Sequence, residues 1–544
     1  MRGAGWEWRL KVGKVTRKFY GPPGTGKTTL LMSKVTDEIA SGVHPSEITY
    51  CSFTRAASYY ARDLAIAQSP HYTKEDFKNF ATIHAICYRL LGLTPHSVFA
   101  HRQLQEFAKI FNYKFSDDVG KDMFSQALIE MSLATDADYY ENFISWQKNM
   151  MLWDFDEAYS AYLSRQVEVP VTFSKRALQE YISRREEFKR KEGLWDFGDM
   201  LTGVLRDKLY PEPNCKVFFL DEAQDCSKLL FEVAKLWSNV AERVYIAGDP
   251  YQAIYVFAGA DPNLMIDFKA DETVTLKQSY RCSKTIHQLS RKLVERFKTR
   301  YPDDDFIPTE REGIVTKTSM EKLSFDSNES AFALFRTRYL MEDFVSYLMG
   351  RGIPFTTRRG KQSPLDKAAS EAVLSLVKLS EGERIAMADL NKMVKLIPSG
   401  TYLRRGSKQD IAQRAREDPK HLVSKVSLPA LGFTTEFVHL LDEGEYLESL
   451  NIEPEEKRYF RSLLKSYGRQ ALVDKPKLQV GTIHSAKGLE AERVILSLEL
   501  TRLPYENLIS GDPDSEHRVY YVGITRAKEE VSLLLPETWR AYSL

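Results

Sequence analysis

"GPPGTGKTT", residues 21–29, is the stretch whose reading decides the fold. Gly21, Gly24 and Gly26 keep the G-x-x-x-x-G-K-[ST] spacing that closes on Lys27 and Thr28. Glycines let the backbone turn tightly enough for consecutive N–H groups to converge on one phosphate. Lys27 is then placed to reach the β- and γ-phosphates, and the Thr28 hydroxyl to ligate Mg²⁺. The flanks agree: "VTRKFY" predicts a strand, and "TLLMSKVTDEIASG" a helix ending near Gly42. A loop between a strand and a helix N-terminus is where oriented amides favour an anion. The stretch therefore announces an α/β fold that binds a nucleotide, and leaves open what the nucleotide drives.

"KVFFLDEAQD", residues 216–225, supplies a second site. Val217 to Leu220 predict a strand buried on both faces, as at the centre of a parallel sheet. Acids at its carboxyl end face the crevice where ligands sit in open α/β sheets. Asp221 is the candidate to hold Mg²⁺, and Glu222 the candidate to polarise the attacking water. "RVYIAGDPYQAIY", residues 243–255, repeats the design: an apolar strand, then Gly248 and Asp249, then Gln252. A glutamine at that place is positioned to sense a γ-phosphate.

The chain has 544 residues, too many for one core, and its length suggests about three to four domains. Apolar residues make up 43% and charged residues 28%, and the net charge is +1. No overall field draws such a chain to a polyanion, so any nucleic-acid site must be a local patch. Five scattered cysteines without a C-x-x-C pair argue against a disulfide framework or a zinc site and fit a reducing cytoplasm. No apolar run reaches the roughly 18 residues of a membrane span. "MRGAGWEWRLKVGK" at the start is basic but lacks the apolar centre of a signal peptide.

"DEAQD" followed by "GDPYQAIYVFAGA" resembles motifs II and III of the UvrD/Rep/PcrA class of superfamily 1 helicases. The other motifs follow in order. "SFTRAAS" (52–58) resembles motif Ia, "ATIHAICYRLL" (81–91) motif Ib, and "LWDFGDML" (194–201) the D-F-x-D-L signature. "LKQSYRC" (276–282) is similar to motif IV, "VGTIHSAKGLEAERVIL" (480–496) to motif V, and "YYVGITRAKEEVSLLL" (520–535) to motif VI.

The resemblance implies two RecA-like P-loop NTPase domains, each a parallel sheet flanked by helices, and each with a mainly helical insertion. Domain 1A is expected over 1–91 and 191–270, insertion 1B over 92–190, domain 2A over 271–365 and 475–544, and insertion 2B over 366–474. It implies an ATP-dependent helicase that moves 3′ to 5′ on single-stranded DNA, uses Mg²⁺ and meets ss/ds junctions. A cytoplasmic monomer or weak dimer, with no membrane partner, is expected. Lys27, Asp221, Glu222, Gln252, Arg281 and Arg526 would form the catalytic set, with Thr28 and Asp221 at the metal. Gly21, Pro22, Gly24, Thr25, Gly26, Lys27, Thr28 and Thr29 would hold the nucleotide, Tyr280 stack on its base, and Glu490 contact its ribose. Arg281 and Arg526, read as second-domain residues, would stabilise charge on the transferred phosphoryl group. Phe53, Tyr255 and Phe257 are candidates to stack bases. Thr54, Arg55, His84, Thr482 and His484 are candidates for phosphates or sugars.

The chain departs from the family pattern in places. None of the twenty residues before Gly21 is the adenine-reading glutamine, and Thr29 stands where relatives often have arginine. Both changes fall on base recognition, so GTP or other NTPs are open beside ATP. The family's W-R-G-A is Phe257-Ala258-Gly259-Ala260, which removes an arginine and bears on how strand binding couples to hydrolysis. "PSGTYLRRG" (398–406) stands in place of a G-I-G turn, within a stretch from Lys392 to Lys420 holding eight Lys/Arg against three acids. That excess reads equally as a phosphate patch or a solvated helical face. The alternative functions are a translocase that strips proteins from single strands with little unwinding, and an RNA-directed helicase.

Overall fold

Strands β1 (Val15–Tyr20), β2 (Ile48–Cys51), β3 (Phe80–Ala81), β4 (Val217–Leu220), β5 (Arg243–Gly248) and β6 (Glu272–Thr275) form one sheet in the order β3-β2-β4-β5-β1-β6. Every pairing in it is parallel. This is a computed structural model describing residues 14–116, 135–165, 172–325, 329–358 and 363–544. The basic start of the chain lies, but for Lys14, outside the described residues.

Central β4 is buried throughout and edge strand β6 is half-exposed, as burial on both faces of a parallel sheet requires. Helix Lys27–Ala40 crosses from β1 to β2 and packs Leu31, Met32 and Val35 on the sheet. Its buried Glu38 accepts hydrogen bonds from Arg243 Nε (2.8 Å) and Tyr245 Oη (2.7 Å) of β5. A buried carboxylate needs such donors, so the pair fixes where the helix sits on the sheet.

Between Leu91 and Leu194 the chain builds a separate core, rich in aromatic rings, around Phe107, Phe143, Trp146, Tyr162 and Tyr181. An ionic cluster lines one side of it. Arg185 (to Glu141 and Asp196) and Lys148 and Lys189 (each to Asp196 and Asp199) bind the insertion to helix Phe197–Asp207. Burial alone would raise the Asp196 pKa; the three cations reverse that and hold it well below the usual carboxylate range.

The first compact unit comprises 1–312 and 506–525; the second comprises 313–505 and 526–544. This differs from the expectation that 271 opens the second domain. β6 bonds to β1, and Tyr280 N donates to the Gly24 carbonyl at 2.9 Å, so 271–312 belongs with the first sheet.

In the second unit, β7 (Ile314–Thr318), β8 (Ala331–Phe335), β9 (Thr356–Arg358), β12 (Leu478–Thr482), β13 (Ala491–Ser497) and β14 (Ala527–Leu534) form a parallel sheet in the order β7-β14-β13-β8-β12-β9. A small antiparallel pair, β10 (Ile385–Ala386) and β11 (Leu422–Val423), lies among helices between β9 and β12. Those helices share one core with the sheet, in which Leu376, Leu390 and Phe437 join Ala333, Val480 and Ile495. Two parallel sheets flanked by helices match the RecA-like architecture expected above. No described helix is long and apolar enough to cross a membrane.

Candidate nucleotide site and strand-binding edge

Parallel register brings the carboxyl ends of four strands to one edge of the first sheet: Tyr20 pairs with Gly248, Leu220 with Ile246, and Cys51 with Leu220. The loop 21–28, Asp221, Asp249 and Phe53 therefore start side by side although more than two hundred residues of chain separate the loop from Asp249. Lys27 opens a helix whose preceding residue, Gly26, is in the left-handed conformation. Lys27 Nζ donates to the Gly21 carbonyl at 2.8 Å, across the mouth of the loop. Pro22 and Thr25 are buried, and the Thr25 hydroxyl donates to the Pro22 carbonyl at 2.7 Å.

Thr28 Oγ1 lies 3.1 Å from Asp221 Oδ2, and the buried Tyr50 hydroxyl donates to the same oxygen at 3.0 Å. Burial first, then the neighbouring Glu222, pushes Asp221 up to about 6, against Lys27 and the Tyr50 and Thr28 hydrogen bonds. A hydroxyl and a carboxylate converging beside the loop are the hard oxygen donors that suit Mg²⁺. The residues present thus fit the ion.

Glu222 adopts a left-handed backbone (φ 56), so the chain turns sharply just after β4. Gln224 Nε2 donates to Glu222, and Gln224 Oε1 accepts from Asp249 N at 3.0 Å. Gln252 Nε2 donates to Asp249 Oδ2 at 2.7 Å. Glu222, Gln224, Asp249 and Gln252 therefore form one hydrogen-bonded run between the ends of β4 and β5. Burial raises the Asp249 pKa, opposed by Lys27 and Gln252.

Ser279 Oγ donates to the Pro23 carbonyl at 2.7 Å, which holds the Tyr280–Arg281 segment against the loop. Tyr280 projects, 73% exposed, and Thr29 is also exposed. Arg281 Nη1 donates to the Thr525 carbonyl at 3.3 Å. Phe53 and Tyr255 stack with ring centroids 5.1 Å apart, and both rings and Phe257 are partly accessible. Thr54 caps helix Arg55–Gln68 by accepting from Ala57 N, with Arg55 in its first turn. His84 meets Phe197 edge-on at 5.4 Å, and burial lowers its pKa to about 4, so its ring is neutral near pH 7.

In the second unit, Thr482 ends β12 and accepts from Ser485 N at 3.2 Å, with His484 buried in the turn that follows. Arg526 is 1% exposed and donates through Nη1 to the Leu489 carbonyl at 3.2 Å. Glu490 pairs with Lys528 at 2.6 Å. Sequence reasoning missed Tyr50 and Gln224. Gln224 stood inside a quoted motif, but its partner on β5 is visible only once the sheet is formed, and Tyr50 carried no signal at all.

The UvrD/REP helicase N-terminal domain model matches residues 14–273, and the UvrD-like helicase C-terminal domain model matches residues 435–537. The chain is 24% identical over 561 residues to the ATP-dependent DNA helicase UvrD2 of Mycobacterium tuberculosis, covering 94% of this chain and 75% of the relative. It is 24% identical over 598 residues to the ATP-dependent DNA helicase PcrA of Staphylococcus epidermidis, covering 93% and 79%. With the two family models together matching most of the chain, the chain belongs to the UvrD/Rep family of helicases.

Proposed function

We propose that this chain is an NTP-driven motor that moves 3′ to 5′ on single-stranded DNA and unwinds the duplex ahead of it. The observation that carries the reading is the hydrogen-bonded run from Glu222 through Gln224 and Asp249 to Gln252. It joins the group that would polarise the attacking water to the loop bearing Tyr255 and Phe257. A strand stacked on those rings and a phosphate at Lys27 are then read by the same short segment.

In this reading the 21–29 loop and Lys27 hold the phosphates, Tyr280 stacks on the base, and Glu222 accepts the proton of the attacking water. Thr28 and Asp221 would hold Mg²⁺, which would neutralise charge on the nucleotide phosphates. Gln252 and Arg281 contact the γ-phosphate; Arg526 is assigned to charge on the transferred phosphoryl group and Glu490 to the ribose. Phe53, Tyr255 and Phe257 stack bases without sequence preference. Thr54, Arg55, His84, Thr482 and His484 hold phosphates and sugars, His84 as a neutral hydrogen-bonding group. The four-part division into two RecA-like domains with insertions 1B and 2B belongs to the same proposal, with the first domain extended through 312. Arg404, Arg405, Arg414, Arg416 and Lys420 are exposed on the second unit and give duplex phosphates a basic face.

The test is nucleotide hydrolysis with and without single-stranded DNA or RNA, followed by unwinding of duplexes with a 3′ or a 5′ tail. Stimulation by DNA and unwinding from the 3′ tail are expected. Hydrolysis indifferent to both polymers would refute the motor. Stimulation without unwinding from either tail would leave the protein-stripping translocase.

A further inference from the structure

The loop carrying Tyr255 and Phe257 is gripped by the insertion at two consecutive carbonyls. Helix Asp136–Asn149 ends beside it, and Asn149 Nδ2 donates to the Ala258 carbonyl at 3.0 Å. The Asn149 amide is oriented in turn by Ser227 Oγ, which donates to Asn149 Oδ1 at 3.3 Å. Arg165 Nη2 donates to the preceding carbonyl, that of Phe257. Gly259 then turns in the left-handed region (φ +98), and a Cβ there would lie 3.1 Å from the Asn149 Cβ. The loop and the helix end are in van der Waals contact as well as hydrogen-bonded.

Arg165 is an unusual choice for that slot. Its guanidinium lies 4.6 Å from the Trp146 ring centroid and 5.4 Å from that of Tyr162, inside the aromatic core of the insertion. Nη1 is buried with no hydrogen-bond partner among the described residues. Burial pulls its pKa down to about 10, against an opposing pull from Tyr162. A largely buried cation with no carboxylate partner among the described residues is destabilising, and an apolar side chain of similar volume would fill the space without that cost. What only a long donor provides here is the bond to the Phe257 carbonyl. Ala258, one residue on, stands where the resembled motif has an arginine, so the cation of this loop comes from the insertion.

We propose that Arg165 and Asn149 are positioning residues that lock the 257–258 backbone, so that a strand stacked on Tyr255 and Phe257 is felt at Gln252. The insertion is thereby part of the route by which single-stranded DNA stimulates hydrolysis. This rests on the motor reading above and adds to it a coupling element outside the helicase motifs.

The experiment uses the full chain and an oligo-dT single strand, with Arg165→Met, Arg165→Lys and Asn149→Ala compared with the unaltered protein. Arg165→Met and Asn149→Ala should keep basal hydrolysis within about twofold. The strand concentration for half-maximal stimulation should rise roughly tenfold, the scale of one lost hydrogen bond. Arg165→Lys, which retains a donor, should recover part of the stimulation; a merely structural role predicts no such ranking. If Arg165→Met does not fold, the Lys and Asn149→Ala variants carry the test, with melting temperature as the control for folding. Unchanged stimulation curves in the folded variants overturn the proposal alone. An unaltered protein that hydrolyses nucleotide but ignores the strand overturns the motor reading and this proposal with it.

Discussion

Gln224 is fully buried, and both ends of its amide are used, one on Glu222 and one on Asp249 N. A Cβ on Gly248 would lie 2.3 Å from Gln224 Oε1, so the strand end is cut back to glycine where the amide passes. Gln224→Leu keeps the volume but leaves a buried N–H without its acceptor and removes the Gln224 bond to Glu222. Steady-state kinetics should show strand-stimulated hydrolysis falling ten- to a hundredfold, on the order of one to two buried hydrogen bonds. Binding of a fluorescent nucleotide should change little, since the phosphate loop is untouched. His84 gives a pH signature. Its folded pKa is about 4, against an ordinary value of 6.5. Between those values the unfolded chain takes up a proton that the folded chain does not, so stability falls as pH falls through that window. The melting temperature should therefore drop from pH 6.5 to 4, and His84→Gln should flatten the drop. Strand affinity should show no step at pH 6.5 from this residue, because the ring is already neutral there.

At the scale of elements, the insertion's helices are fastened to helix Phe197–Asp207 by ions rather than by apolar contact alone. Asp196 accepts from Lys148 (2.8 Å), Arg185 (2.8 Å) and Lys189 (2.8 Å) at once, and also caps its own helix through Asp199 N. Removing that carboxylate leaves three cations short of a partner in a buried place. Asp196→Ala should cost about 3–5 kcal/mol, read by denaturant melts. The loss should persist at high salt, since screening acts weakly on buried pairs. Lys148 and Asn149 are adjacent at one helix end, one bound to Asp196 and Asp199, the other to the Ala258 carbonyl. The end of a single helix thus meets both helix Phe197–Asp207 and the loop bearing Tyr255 and Phe257, which is the geometry through which the proposed coupling would run.

For the whole molecule, the candidate phosphate, metal and stacking residues of the first parallel sheet gather at the carboxyl ends of its strands, where ligands sit in open α/β folds. Lys27→Ala should abolish hydrolysis while single-strand affinity, measured by fluorescence anisotropy, stays within a few-fold, because Phe53 and Tyr255 lie on other strand ends. Loss of both together would signal misfolding rather than a missing phosphate contact. The sequence by itself determined the phosphate loop, the acid pair Asp221–Glu222, the glutamine at 252 and the order of motifs, since each depends on residues adjacent in the chain. The apolar run Val217–Leu220 also pointed to a parallel sheet in the first unit, because strands covered on both faces must be apolar throughout, whereas the second sheet was implied only by the resemblance. The border at 271 was not legible: β6 is half-exposed, and only its bonds to β1 assign it to the first sheet. Tyr50 on Asp221, Gln224 on Asp249, and Asn149 and Arg165 on the 257–258 carbonyls were decided by tertiary structure alone. These contacts join residues 171, 25, 109 and 92 positions apart, and a hydrogen bond has no sequence signature until the fold brings its donor and acceptor together.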